Sequence, residues 1–177
     1  MHIDLAGSTR PLTDVSDGAL CITKWRERPV FAIKCSRNRN GEYVQFAAIL
    51  GPGSGAERAP HIKSLRALDV AHALELENVC LVPNTAPDFL TLGWADEWQA
   101  GEIAISGSDA YLFADGHDGV TAVNLSTGHI TPEARQLPAR PPALAYTRSW
   151  NIVRTAGDKQ HEIFRFEVPA LGARPEG

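Results

Sequence analysis

Apolar and polar residues alternate with a period of two along most of this chain, the pattern of half-buried strands. Residues 18–50 read as a three-stranded meander. Leu20-Cys21-Ile22 begins the first strand, and Arg26-Glu27-Arg28-Pro29 breaks it. Val30-Phe31-Ala32-Ile33 is the second strand, with a proline at its start where a ladder N–H is not needed. The turn Ser36–Gly41 carries Asn40-Gly41, a strong hairpin signal. Tyr43 to Leu50 is the third strand, stopped by the glycine-rich loop 51–55. A short strand follows over Asn78–Val82. The period of two returns at 102–105, 110–114, 120–125 and 129–130, with turns at 107–109, 115–119 and 126–128. A last hairpin is expected from Ala145–Thr155 and His161–Val168 around Gly157-Asp158.

The period changes in two places. Ile62, Leu65, Leu68 (or Asp69), His72 and Leu76 fall three or four apart, which predicts an amphipathic helix over 62–76. Residues 86–99 predict a second helix, with Thr85 as N-cap and Asp88 in the first turn. The expected fold is mainly β, alternatively α+β: antiparallel meanders and hairpins with one or two packed helices. It forms a single domain over 1–177 with a loose tail over 170–177.

A chain of 177 residues is long enough to bury a real core, roughly 70% of its unfolded surface. Its 44% hydrophobic and 21% charged residues are ordinary for a soluble globular protein. No apolar run approaches the ~20 residues that span a bilayer. The first residues lack the basic and apolar regions of a secretory signal. Cys21, Cys35 and Cys80 form neither a disulfide framework nor a CxxC pair, and each lies in an apolar run, so buried free thiols are expected. A cytoplasmic, membrane-free protein fits these features.

Charge changes the picture most. Lys and Arg are absent from the 68 residues between Arg66 and Arg135, which hold 11 Asp and Glu. The three segments carry +4, −11 and +3, so a net charge of −4 hides a strong segregation. Such asymmetry is an argument about partners rather than fold. It predicts a binding protein without catalysis, whose acidic middle (67–134) contacts a basic protein partner, as inhibitors or immunity proteins do. The competing expectation is that the basic flanks fold across the middle and neutralise it.

Candidate chemistry is sparse. Asp115-Gly116-His117-Asp118-Gly119 is the densest polar cluster, able to line a small-molecule or metal site of a binder or small enzyme. Asp-Gly pairs are also what a tight hairpin needs with no ligand. No EF-hand spacing accompanies it. The six histidines show no HxH, HxxxH or HExxH spacing, so no metal and no cofactor is expected. Trp94-Ala95-Asp96-Glu97-Trp98 would set two indoles on one helical face, by default in the core, otherwise in an aromatic and acidic contact patch with Asp109 nearby in sequence. The loop Gly51–Ala56 fits G-x-G-x-x-A, but Pro60 delays the following helix and the next strand ends on Pro83-Asn84 instead of an acid, so a connector is the better reading. Six basic residues over 24–39 sit at two turns roughly 23 Å apart. They make two clusters and no single groove, which disfavours nucleic acid.

Residues 108–130, with Asp118-Gly119, Ala122, Asn124, Thr127-Gly128 and Ile130, resemble part of a blade of the quinoprotein-type β-propeller repeat. The match occurs once, and the resemblance implies hairpin geometry only, without the cofactor or activity, because a propeller needs about four blades or more. A structural subunit that pairs β edges between chains is a further expectation.

Overall fold

The computed structural model describes residues 7–51, 59–68, 72–92, 98–131 and 144–167. They form fifteen strands: β1 (Gly7–Pro11), β2 (Leu20–Trp25), β3 (Arg28–Arg39), β4 (Glu42–Ile49), β5 (His61–Ser64), β6 (His72–Leu76), β7 (Val79–Pro83), β8 (Leu90–Leu92), β9 (Ile103–Ser106), β10 (Asp109–Gly116), β11 (Gly119–Asn124), β12 (Ile130–Thr131), β13 (Leu144–Thr147), β14 (Ser149–Ala156) and β15 (Lys159–Glu167). The protein is a single, mainly β domain built from antiparallel sheets. Twelve strands join in one sheet, and β15-β14-β7 form a second.

Strand β3 organises the larger sheet because it is buried on both faces from Ala32 to Ser36. Phe31, Ile33 and Cys35 point to one apolar cluster; Val30 and Ala32 point to the other. Its twelve residues are long enough to serve two neighbours along one edge. β2 pairs with Arg28–Ile33. Farther along, Ser36 N–H donates to Gly128 O at 3.0 Å, and Ser36 bridges to His129 in parallel. Strand β10 divides an edge in the same way. β9 takes Asp109–Leu112, and β5 meets Asp115 through a parallel pairing with His61. The pairing path β3-β4-β5-β10-β11-β12 thereby returns to β3 and closes a ring of six strands.

The inner face of this ring carries the main core. Ile33, Cys35, Ala48, Leu50, Leu112, Val123 and Ile130 pack there with Trp150, Ile152 and Phe166 of the second sheet. Trp150 stacks on Phe166 with ring centroids 4.8 Å apart, and its Nε1–H donates to Gly101 O at 2.8 Å. Burying an indole without that bond would leave its donor unsatisfied. Phe31, at the start of β3, meets Phe164 at 5.7 Å. The second sheet therefore covers the Phe31 end of the ring interior.

Two buried charges are each paired. Lys34, 1% exposed, donates to Asp17 at 2.9 Å. Glu102, fully buried, accepts from Arg148 Nε at 2.8 Å and from Gln99 N–H at 2.9 Å. The pairing matters because an isolated ion in that environment is costly.

Both expected helices are corrected. Residues 62–76 form β5, one 3-10 turn (Leu65–Ala67) and β6, with 69–71 outside the described residues. Ile62 packs in the ring interior, whereas Leu65 and Leu68 pack in the cluster on the opposite face of β3 and β4. One helix face cannot serve two cores, so the three-four spacing there is coincidental. In 86–99, Asn84 Oδ1 accepts from Ala86 N–H at 3.1 Å and a single turn closes on Ala86 O. Leu90–Leu92 then pair with β13. Residues 93–97 of that expected helix lie outside the described residues, as do the loose tail and most of the Gly51–Ala56 loop, and residues 98–99 are not helical. Among the described residues no helix is long and apolar enough to cross a membrane. Cys80 corrects the cysteine reading, being exposed on β7, while Cys21 and Cys35 are buried.

Candidate functional site

Side chains alternate across a strand, so the residues that follow the core on the same face belong to the ring's other end. On β3 the inward series Phe31, Ile33, Cys35 continues as Arg37 and Arg39. On β10 it runs Ala110, Leu112, Ala114 and ends at Gly116. On β11 it runs back from Val123 to Thr121, and on β5 from Ile62 to Ser64. At this mouth, away from the second sheet, the interior changes from apolar to polar and opens as a cavity of about 410 Å³. Its volume lies in the range of small-ligand sites.

Phe46, Ile62 and Ile130 form the apolar wall of the cavity, and Arg37, Arg39, Ser64, Thr121, His117 and Asp118 its polar part. His117 and Asp118 are the two residues of the tight turn between β10 and β11, closed by the pair Gly116 and Gly119. Gly119 takes a positive φ of 110°, which suits glycine. Gly116 is needed for space: a Cβ there would lie 2.9 Å from Thr121 Oγ1 and 3.0 Å from Gly119 O.

Arg37 is half-buried and Arg39 exposed. Among the described residues no ion pair engages either guanidinium, although Glu42 stands opposite Arg39 in register and Asp118 lines the same cavity. Ser64 Oγ accepts from Arg66 N–H at 3.3 Å. No hydrogen bond among the described residues joins Ser64, His117 and Asp118. A nucleophile and its base would be expected within such reach.

The structure separates the residues singled out from sequence. His117 and Asp118 come together in the cavity. Asp115 is exposed and alternates to the outer face with Tyr111 and Phe113. Asp109 sits at the far end of β10, opposite Ser106. Trp98 is packed, stacked on Phe113 at 4.2 Å and edge-on to Tyr146 at 5.5 Å. Trp94, Asp96 and Glu97 lie outside the described residues. No group of three or more His, Cys, Asp or Glu side chains suited to a metal occurs among the described residues. Arg37, Arg39, Ser64 and Thr121 were missed by sequence reasoning. The available signal was the parity of the two arginines with Phe31, Ile33 and Cys35.

The hairpin expected from the propeller-like segment is present as β10, β11 and β12. No protein-family model, no curated protein and no solved structure matches the chain.

Proposed function

We propose that the protein binds a small organic ligand in the mouth of its six-stranded ring. The observation that carries this reading is the cavity itself: one apolar wall from strand positions whose register is set by the core, and one polar wall from strand positions and the His117-Asp118 turn. Such concave sites with a few convergent polar groups, often in the mouths of β-barrels, are the default binding sites of proteins.

Thr121→Phe would fill the mouth from β11. Ligand-observed NMR against a panel of small metabolites and fragments tests the reading. Compounds that bind the native protein and not the folded Thr121→Phe variant support it; no binder, or binders indifferent to the substitution, would count against it.

A second reading is that the acidic middle meets a basic protein. Among the described residues Glu77, Asp88, Asp109, Asp115 and Asp118 enter no ion pair, which favours it. A basic protein captured from native lysate at low salt, and shed at about 0.5 M where the Debye length is roughly 4 Å, would support this reading. An empty capture at both salts would oppose it.

A further inference from the structure

The polar wall of the mouth is unequal in charge. Arg37 and Arg39 are two residues apart on one strand and point the same way, so their guanidinium groups share one side of the cavity. The turn opposite contributes one carboxylate, Asp118. Neither arginine is in an ion pair with a described residue; the cavity lining itself sets two guanidinium groups against the single carboxylate of Asp118, with Glu42 opposite Arg39 in register beside it. Two like charges held side by side against an apolar wall are mutually repulsive, and an anion between them relieves that repulsion. Guanidinium groups match oxyanions in geometry, donating paired N–H bonds to carboxylate, phosphate or sulfonate oxygens. Hydroxyl and imidazole groups of Ser64, Thr121 and His117 can complete the hydrogen bonding. Phe46, Ile62 and Ile130 are left to cover the rest of the molecule with apolar surface.

Resting on the reading of this mouth as a ligand site, we infer that its ligand is an amphipathic anion: an oxyanion head group bound by Arg37 and Arg39, and an apolar or aromatic body laid on Phe46, Ile62 and Ile130. A free inorganic anion would leave the apolar wall wet, and a neutral apolar molecule would leave both guanidinium groups without a partner. The head group could be carboxylate or phosphate, since both present the same oxygens.

Two fluorescent probes of similar body separate the claims. One, 1-anilinonaphthalene-8-sulfonate, carries an oxyanion; the other, N-phenyl-1-naphthylamine, is its neutral counterpart. The expected result is tighter binding of the sulfonate, weakened by salt and by roughly ten-fold in each of Arg37→Met and Arg39→Met, with the neutral probe little changed by either substitution. Thr121→Phe should remove both, which places them in the mouth. Competition then assigns the head group: benzoate displacing the sulfonate better than phenyl phosphate indicates a carboxylate, the reverse a phosphate. Equal binding of both probes, unaffected by the arginine substitutions yet lost in Thr121→Phe, would overturn the anion while leaving the ligand site intact. Binding of neither probe, or binding indifferent to Thr121→Phe, would overturn both.

Discussion

The two buried thiols respond to burial in a way that can be read in solution. Loss of solvent pushes Cys21 and Cys35 up from 9.0 to about 12. In the folded protein they stay protonated where the unfolded chain would begin to ionise. Their contribution to stability is fully present below pH 9 and is lost as pH rises from 9 toward 12, at up to about 1.4 kcal/mol per pH unit for each thiol. Thermal melts across that range should fall steeply for the native protein and less steeply in Cys21→Ala or Cys35→Ala; identical slopes would refute the assignment. Iodoacetamide under native conditions should label Cys80 alone. A second residue-scale test concerns Glu102. Arg148→Met strands a fully buried carboxylate and should cost roughly 3 kcal/mol in urea unfolding. Glu102→Gln should cost less, because Arg148 is about one-third exposed and can reach water. Equal losses would mean that the buried charge is not the determining feature.

Among the elements, closure of the ring depends on two long strands that each give one edge to two neighbours, and on the approach of residues 126–129 to β3. Gly128 makes that approach possible. It has a φ of +67°, and a Cβ there would meet Gly18 N and lie 2.8 Å from Lys34 O. Gly157 has a similar φ of +59° but open space around it. Gly128→Ala should therefore destabilise by at least about 2 kcal/mol, and Gly157→Ala by the conformational cost alone, about 1 kcal/mol. Equal effects would show that the contact between residues 126–129 and β3 is not tight. Most hairpin strands were legible because alternation and turn chemistry act locally: Asn40-Gly41 and Gly157-Asp158 both join hairpins as expected. By contrast, β1 was not expected, β5, β6 and β8 lie in segments read as helices, and the one strand expected over 145–155 divides into β13 and β14 of different sheets. The helix over 62–76 was misread because Ile62 and Leu65 serve different clusters, a fact of tertiary packing; in 86–99, Leu90–Leu92 are drawn into pairing with β13. The site was half legible. His117 and Asp118 stand out as a dense polar turn, whereas Arg37 and Arg39 look like turn charges until β5, β10 and His129 close the ring around them.

At the scale of the whole molecule, the segregation of charge along the chain is partly folded back on itself. Arg10 of the N-terminal flank pairs with Glu75 at 3.0 Å, and Arg148 of the C-terminal flank with Glu102. Arg37 and Arg39 reach the same cavity as Asp118 and enter no ion pair with a described residue, so flank and acidic middle meet there without pairing. The second sheet covers the Phe31 end of the ring and leaves this end open. The proposed ligand site thus lies where the core runs out and the strands continue. Its most direct test is backbone amide NMR of the native protein titrated with 1-anilinonaphthalene-8-sulfonate. Shifts concentrated at residues 37–39, 46, 62–64, 116–121 and 130 are the expected result. Shifts scattered over the surface, or centred on the β7 and β15 edges of the second sheet, would contradict it.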